Sequence, residues 1–161
     1  MSFVQIKKYL QINLYYVFAF SFFIGLFIYG LVMHLLNKKY LEDGKTLYTV
    51  ATVYDYLSQG KGGRSVEFSF YYNSEYFVSS NDQGNAVKNS IYFGSAYETG
   101  KMRKLLKGKN FFVKFSVEKP KYSRIYLSKP VAEDFQYVEG QTWETIPKEA
   151  VENKDIYGNY R

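Results

Sequence analysis

Residues 14–33 read LYYVFAFSFFIGLFIYGLVM, a run of 20 residues that carries no charge and has Ser21 as its one polar interruption. At about 1.5 Å per residue, a helix of this length is roughly 30 Å long, which is the thickness of the hydrocarbon core of a bilayer. Tyrosine side chains, which favour the headgroup zone, lie near both ends of the run. We therefore predict one transmembrane helix over residues 9–36.

A cleaved signal peptide and a buried core helix are the alternatives to this anchor. A signal peptide has an apolar stretch of about 7–15 residues followed by a small-residue cleavage site, whereas residues 31–39 read LVMHLLNKK. A core helix would be shorter or would carry a polar face. The sequence therefore favours an uncleaved anchor.

The residues that flank the anchor leave its orientation open. Lys7 and Lys8 precede the run, whereas Lys38, Lys39 and Lys45 follow it. The positive-inside rule therefore gives nearly equal weight to the two sides of the membrane.

Two polar features within the anchor have ordinary explanations. His34 lies at the C-terminal edge of the anchor, close enough to the interface to be solvated. Ser21 and Gly25 are four residues apart and leave room for a second helix. Such pairs are frequent, and homo-oligomerisation has no other support in the sequence.

The rest of the chain is long enough for one compact domain. It contains no cysteine, which excludes disulfides and thiol chemistry. Residues 37–130 carry 16 Lys and Arg against 8 Asp and Glu, whereas residues 131–161 carry 3 against 7. We predict a short N-terminal tail (1–8), the transmembrane helix (9–36), a juxtamembrane linker (37–45), a basic β domain (46–130) and an acidic C-terminal tail (131–161).

Beyond residue 45 the sequence is typical of β-strands. Apolar and polar side chains alternate with a period of two in residues 65–72 and 111–118, as expected for half-buried strands. Asn73-Ser74 and Lys119-Pro120-Lys121 predict turns between strands. The predicted fold is mainly β, with the transmembrane helix followed by a small antiparallel sheet or barrel-like domain of about five strands and one or two short helices. The predicted strands are residues 46–57, 65–72, 75–80, 111–118 and 124–127, and residues 81–89 are predicted to form a polar loop.

One predicted helix carries a cluster of basic residues. Ser95 and Glu98 have the spacing of a capping box, and Gly108 can end the helix; a second short helix is predicted from Pro147. Near a bilayer, each basic residue contributes about 1 kcal/mol of attraction to anionic headgroups. We predict an anionic-surface contact at the cluster, with a solvated helix face as the alternative: Lys101, Arg103, Lys104, Lys107 and Lys109.

Groups suited to catalysis are scarce. His34 is the only histidine, so no Ser-His-Asp or Cys-His arrangement and no His/Cys metal site can form beyond the membrane edge. The adjacent carboxylates of Glu42-Asp43 and Glu133-Asp134 do not face each other on a helix or strand. The sequence has no phosphate-binding loop of the GxxxxGK type. We therefore predict no enzymatic activity, no metal and no cofactor.

Residues 107–115 resemble in part the aromatic RNP1 strand of RNA-recognition domains. The register fails, because Asn110 stands where the first stacking aromatic belongs and Lys109 stands where glycine belongs. Nucleic acid is therefore an unfavoured partner.

Residues 109–131 read KNFFVKFSVEKPKYSRIYLSKPV. This pattern resembles the end of the soluble part in a family of short bacterial membrane proteins of unknown function. Residues 71–76 (YYNSEY) are similar to the hairpin of that family, which often has Asn-Gly where this chain has Asn-Ser, and Trp143 with Ile146-Pro147 is similar to a tail element of some members. The resemblance implies an N-terminal membrane segment and a small β domain, and it implies no activity. We expect a bacterial inner-membrane location.

The sequence thus favours a non-enzymatic, single-pass membrane protein whose β domain is a protein-interaction or envelope-associated module. Because tyrosine is enriched in interfaces, the outward faces of the strands offer a partner surface at Tyr71, Phe112 and Lys114. The alternative is that these faces are solvated or covered by the tail. The alternative function is binding of anionic lipid headgroups or nucleic acid through the basic cluster.

Overall fold

The computed structural model describes residues 3–59, 63–82 and 96–152 of the chain. It divides into two compact units, Met1–Lys39 and Tyr40–Arg161. The fold class predicted from the sequence is confirmed, since an apolar N-terminal helix precedes a five-stranded antiparallel sheet with one further short α-helix.

The N-terminal helix α1 spans Phe3–Leu41. Its portion Leu14–Leu41 is long and apolar enough to cross a membrane, and the most apolar window of 18 residues within it has a mean hydropathy of 2.1. The helix extends beyond the predicted range at both ends. Its last two residues, Tyr40 and Leu41, belong to the second unit and are buried there. The predicted linker over residues 37–45 is therefore shortened to residues 42–45.

Five strands and a second α-helix follow α1. In chain order they are β1 Thr46–Gln59, β2 Gly63–Tyr72, β3 Glu75–Asp82, α2 Ala96–Leu106, β4 Asn110–Ser116 and β5 Ser123–Pro130. The sheet has the strand order β3-β2-β1-β4-β5, and every neighbouring pair is antiparallel. The long central strand β1 pairs with β4 through its first half and with β2 through its second half.

The two edge strands approach each other through side chains. The Asn81 side chain accepts a hydrogen bond from the Ile125 N–H (2.7 Å) and donates one to the Ser123 carbonyl (2.8 Å). This amide bridges β3 and β5 where no backbone ladder joins them. The predicted loop over residues 81–89 begins too early, because Asn81 and Asp82 belong to β3; residues 83–89 lie outside the described part of the chain.

An inner cluster of buried side chains fills one face of the sheet. Phe68, Phe111 and Phe115 are fully buried in it, and Met102 and Leu106 of α2 pack against them. The predicted cap residue Ser95 lies outside the described residues. The other buried members of the inner cluster are Ala51, Val53, Tyr56, Val66, Phe70, Val113, Ile125 and Leu127.

An outer cluster on the opposite face is covered by the C-terminal segment, residues 131–152. Trp143 pairs with Tyr48 of β1 through two backbone hydrogen bonds of 2.7 and 2.9 Å. A short 3-10 helix, Lys148–Ala150, follows Pro147, near the predicted second helix. This part of the acidic tail is therefore a layer of the β unit. The outer cluster consists of Val50, Phe112, Val131, Phe135, Tyr137, Trp143, Ile146, Ala150 and Val151.

Candidate functional site

The basic residues of α2 lie on the solvent side of that helix. At 100° per residue, Lys104 lies about 160° around the helix from both Met102 and Leu106, which are buried. Lys107 follows the last residue of α2 and is exposed. Lys101 and Lys109 are also exposed. In the described part of the chain, no carboxylate lies within 4.0 Å of these four ammonium groups. The predicted cluster is therefore brought together with four of its five charges available. We call these four lysines the α2 lysine face.

Arg103, the fifth predicted residue, forms an ion pair with a carboxylate of the β unit. Its guanidinium forms a bidentate ion pair with the carboxylate of Asp55 on β1. This hydrogen bond lowers the pKa of Asp55 and raises the pKa of Arg103. Arg103 thus fastens α2 to the sheet and is less available to an external anion than its lysine neighbours are.

The α2 lysine face lies at one end of the sheet. The Gly108 N–H donates to the Val53 carbonyl (2.8 Å), and Thr52 pairs with Asn110 at the start of β4. At the other end of the same strand pair, Thr46 pairs with Ser116. Six residues of extended chain separate the two ends, or about 20 Å at roughly 3.3 Å per residue.

The opposite end of the sheet holds the residues at which the chain enters the β unit. The ring of Tyr40 stacks on that of Tyr122, with centroids 4.7 Å apart, and the Lys119 ammonium lies 5.0 Å from the Tyr40 ring centroid. A hydrogen bond to Tyr40 raises the pKa of Lys119. The β4–β5 hairpin therefore packs beside Tyr40.

The predicted partner surface at Tyr71, Phe112 and Lys114 needs correction. Phe112 is fully buried beneath Trp143, because the C-terminal segment covers that face. Tyr71 is half-buried, and Gly140 of the same segment lies against its ring. Lys114 is half-buried and stands directly opposite Arg124 of β5. The three residues do not form one exposed surface.

A small apolar patch that the sequence did not single out lies on the outside of β3. Tyr76 and Val78 are each 64% exposed, and Val138 of the C-terminal segment is 74% exposed. The Tyr76 hydroxyl donates to the Glu139 carboxylate, which joins the two segments and raises the pKa of Tyr76. The alternating pattern of β3 places Tyr76 and Val78 on one side, but the contribution of Val138 depends on tertiary packing.

A cavity of about 270 Å³ opens between the start of β4 and the C-terminal segment. Asn110 and Tyr137 line it and are hydrogen bonded to each other (3.1 Å), and Asn110 also accepts from the Thr52 hydroxyl (2.8 Å). Burial raises the pKa of Tyr137. The remaining walls are largely apolar, including Phe111, Phe135 and Pro130, and Lys109, Glu133 and Glu152 bring charge to the lining.

Among the described residues, no group of three or more His, Cys, Asp or Glu side chains is placed to hold a metal ion. The candidate functional features of the described residues are the α2 lysine face, the apolar patch on β3, the cavity beside β4 and the β4–β5 hairpin end. Comparison with models of protein families, with curated protein sequences and with solved structures finds no match to this chain.

Proposed function

We propose that this chain is a single-pass protein of the bacterial inner membrane whose β unit is a non-enzymatic binding module. Its partner is a protein with an acidic surface, which binds the α2 lysine face. The observation that carries the proposal is the set of four exposed ammonium groups, Lys101, Lys104, Lys107 and Lys109, without a carboxylate partner among the described residues.

The membrane anchor in this proposal is α1. Leu14–Leu41 is 28 residues long, and its most apolar window of 18 residues has a mean hydropathy of 2.1 and is not buried within the protein. Aromatic side chains such as Phe20, Phe23 and Phe27 are mostly exposed along it. An exposed helix of this composition is stable in lipid and costly in water.

The internal packing of the β unit favours α2 over the sheet as the binding surface. The inner face of the sheet is filled by its own cluster and by α2, and much of the outer face is covered by the C-terminal segment. A partner therefore finds little open apolar sheet. Charged surfaces of this kind accelerate association and select partners of opposite charge.

The α2 lysine face and the point at which the chain enters the β unit lie at different ends of the β1–β4 strand pair. The face lies about 20 Å from the end of the sheet that packs against Tyr40, measured along β1. The Debye length at physiological ionic strength is about 8 Å. Headgroups next to Tyr40 therefore attract these lysines weakly.

Pull-down of the tagged full chain from solubilised membranes tests the proposal. The variant Lys101→Glu/Lys104→Glu/Lys107→Glu reverses three charges of the face. We expect it to lose the protein that the unmodified chain captures, and we expect that capture to weaken as salt rises.

A matched control reverses three exposed charges elsewhere, Lys121→Glu/Arg124→Glu/Lys129→Glu. It changes the net charge by the same amount and should retain the partner. Equal loss in both variants would show that only net charge matters, and undiminished capture by the first variant would refute the proposed surface.

Binding of anionic lipid headgroups or nucleic acid is the second candidate function, favoured by the same four exposed lysines. It predicts binding to anionic vesicles or to an oligonucleotide by the full chain, with log K falling linearly against log salt. A steep slope that disappears in the Lys101→Glu/Lys104→Glu/Lys107→Glu variant would favour this candidate, and a flat slope would exclude it.

A further inference from the structure

We propose that the β4–β5 hairpin end of the β unit contacts anionic lipid headgroups of the membrane that anchors the chain, through Lys119, Lys121 and Arg124. This surface is distinct from the α2 lysine face. The inference rests on the proposed membrane anchoring and is independent of the proposed protein partner.

Chain connectivity places this hairpin near the headgroups. Tyr40 follows residue 36, the predicted end of the apolar segment, by four residues of continuous helix, or about 6 Å at 1.5 Å per residue. The Lys119 ammonium lies 5.0 Å from the ring centroid of Tyr40. The polar zone on each side of the hydrocarbon core is itself about 5–8 Å thick. Lys119 is therefore within reach of the headgroups.

The hairpin is held in this place by several contacts. The Val117 N–H donates to the Lys45 carbonyl (3.0 Å), and the Ser116 N–H donates to the Tyr122 carbonyl (3.0 Å). Tyr122 stacks on Tyr40. These contacts hold the turn that contains Lys119 and Lys121 next to Tyr40 and Lys45.

Like charges stand on neighbouring strands next to the hairpin end. Lys114 of β4 stands directly opposite Arg124 of β5, and like charges in opposite positions of a sheet are destabilising. Lys119, Lys121 and Arg124 are exposed, and within the described residues no carboxylate lies within 4.0 Å of their charged groups. Glu118 is the one acidic residue of the turn, and Glu42 and Asp43 precede β1. An anionic surface next to Arg124 would reduce the repulsion between Arg124 and Lys114.

Amine footprinting of the full chain in nanodiscs tests the inference. The chain is reacted with an acetylating reagent in discs of phosphatidylcholine alone or of phosphatidylcholine with phosphatidylglycerol, and the modification rate of each lysine is measured by mass spectrometry. We expect the rates at Lys119 and Lys121 to fall about fivefold in the anionic discs, the factor expected for one basic residue at an anionic surface. Lys101 and Lys104, at the other end of the sheet, are the internal controls and should react equally in both discs.

Two further measurements distinguish protection by electrostatic contact with the headgroups from steric protection by the disc. Raising NaCl from about 0.1 M to about 1 M shortens the Debye length from about 10 Å to about 3 Å and should restore the rate at Lys119. The variant Lys121→Gln/Arg124→Gln should reduce the protection of Lys119 in anionic discs.

The inference is overturned if Lys119 and Lys121 react equally in the two discs, or if Lys101 and Lys104 are protected as strongly. Protection by inorganic phosphate in neutral discs would assign the site to a free anion and would also overturn it. Failure of the chain to enter discs would refute the anchoring, whereas loss of the protein partner alone would leave this inference standing.

Discussion

The indole ring of Trp143 packs edge-on against the ring of Phe112, with centroids 5.8 Å apart and planes at 73°. The contact joins the C-terminal segment to the outer face of the sheet. We expect Trp143→Ala to lower the free energy of unfolding by about 3 kcal/mol, since it removes a large aromatic side chain from a packed cluster. Thermal unfolding of the full chain in detergent micelles, followed by near-ultraviolet circular dichroism, measures this change.

Val138→Ala is the control for Trp143→Ala. Val138 lies in the same segment but is 74% exposed, so its truncation should change the free energy of unfolding by less than about 0.5 kcal/mol. If Trp143→Ala changed the free energy of unfolding as little as Val138→Ala, the contact between Trp143 and Phe112 would add little to the stability of the sheet.

Much of the sheet was predictable because its signals are local. Alternation in residues 65–72 and 111–118 identifies two strands whose inward side chains, among them Phe68 and Phe115, are fully buried. Asn73-Ser74 marks the hairpin between β2 and β3. The basic side of α2 also follows from helical spacing, which places Lys104 opposite Met102.

What escaped prediction depends on contacts between distant parts of the chain. Phe112 looks like an outward residue of a two-sided strand, and only its cover by Trp143, 31 positions later, shows that it is core. The apolar residues scattered through the acidic tail were the available signal. Arg103 carries a positive charge like the neighbouring lysines, and its pairing with Asp55 follows only from the packing of α2 on β1.

The side-chain bridge at Asn81 should be necessary for the approach of β3 to β5. Asn81→Ala leaves the Ile125 N–H and the Ser123 carbonyl without this partner, which should cost about 1–3 kcal/mol and speed hydrogen exchange at Ile125. Asn81→Asp keeps the acceptor and should preserve protection of Ile125. Hydrogen exchange read by mass spectrometry tests both variants. Unchanged exchange at Ile125 in Asn81→Ala would contradict the bridging role.

The turn between β2 and β3 contains a position, Ser74, at which glycine should increase the stability of the protein. Asn73 and Ser74 have φ of 49° and 65°, the left-handed conformation of a two-residue hairpin turn. Serine adopts this conformation at a cost of about 1 kcal/mol, so Ser74→Gly should raise the free energy of unfolding by about 0.5–1 kcal/mol. Ser80→Gly, in the extended strand β3, should lower it and is the control. Urea unfolding in micelles, read by the fluorescence of Trp143, decides between these signs.

Two features of the structure favour glycine at position 140: a left-handed φ of 83° and the close approach of the Tyr71 ring. A Cβ at this position would lie 2.9 Å from Cδ1 of Tyr71. Gly108 has a similar φ of 79° but open space around the same position. Gly140→Ala should therefore destabilise the β unit by more than the roughly 1–2 kcal/mol of backbone strain expected for Gly108→Ala. Comparison of the two melting temperatures isolates the contact with Tyr71, and equal shifts would show that the ring moves aside freely.

The ion pair between Asp55 and Arg103 should make stability depend on acidic pH. The hydrogen bond from Arg103 lowers the pKa of Asp55 in the folded chain below its ordinary value of about 4. The unfolded chain therefore binds a proton more readily, so the stabilisation is fully present above about pH 4 and is lost as pH falls through the lower folded pKa. Because both side chains are partly exposed, the effect should be small. Melting temperatures between about pH 2 and 6 should fall less steeply in Arg103→Gln than in the unmodified chain. Lys104→Gln removes the same charge from the same helix without breaking the pair and should keep the original slope. Identical slopes in all three proteins would show that Arg103 does not influence the titration of Asp55.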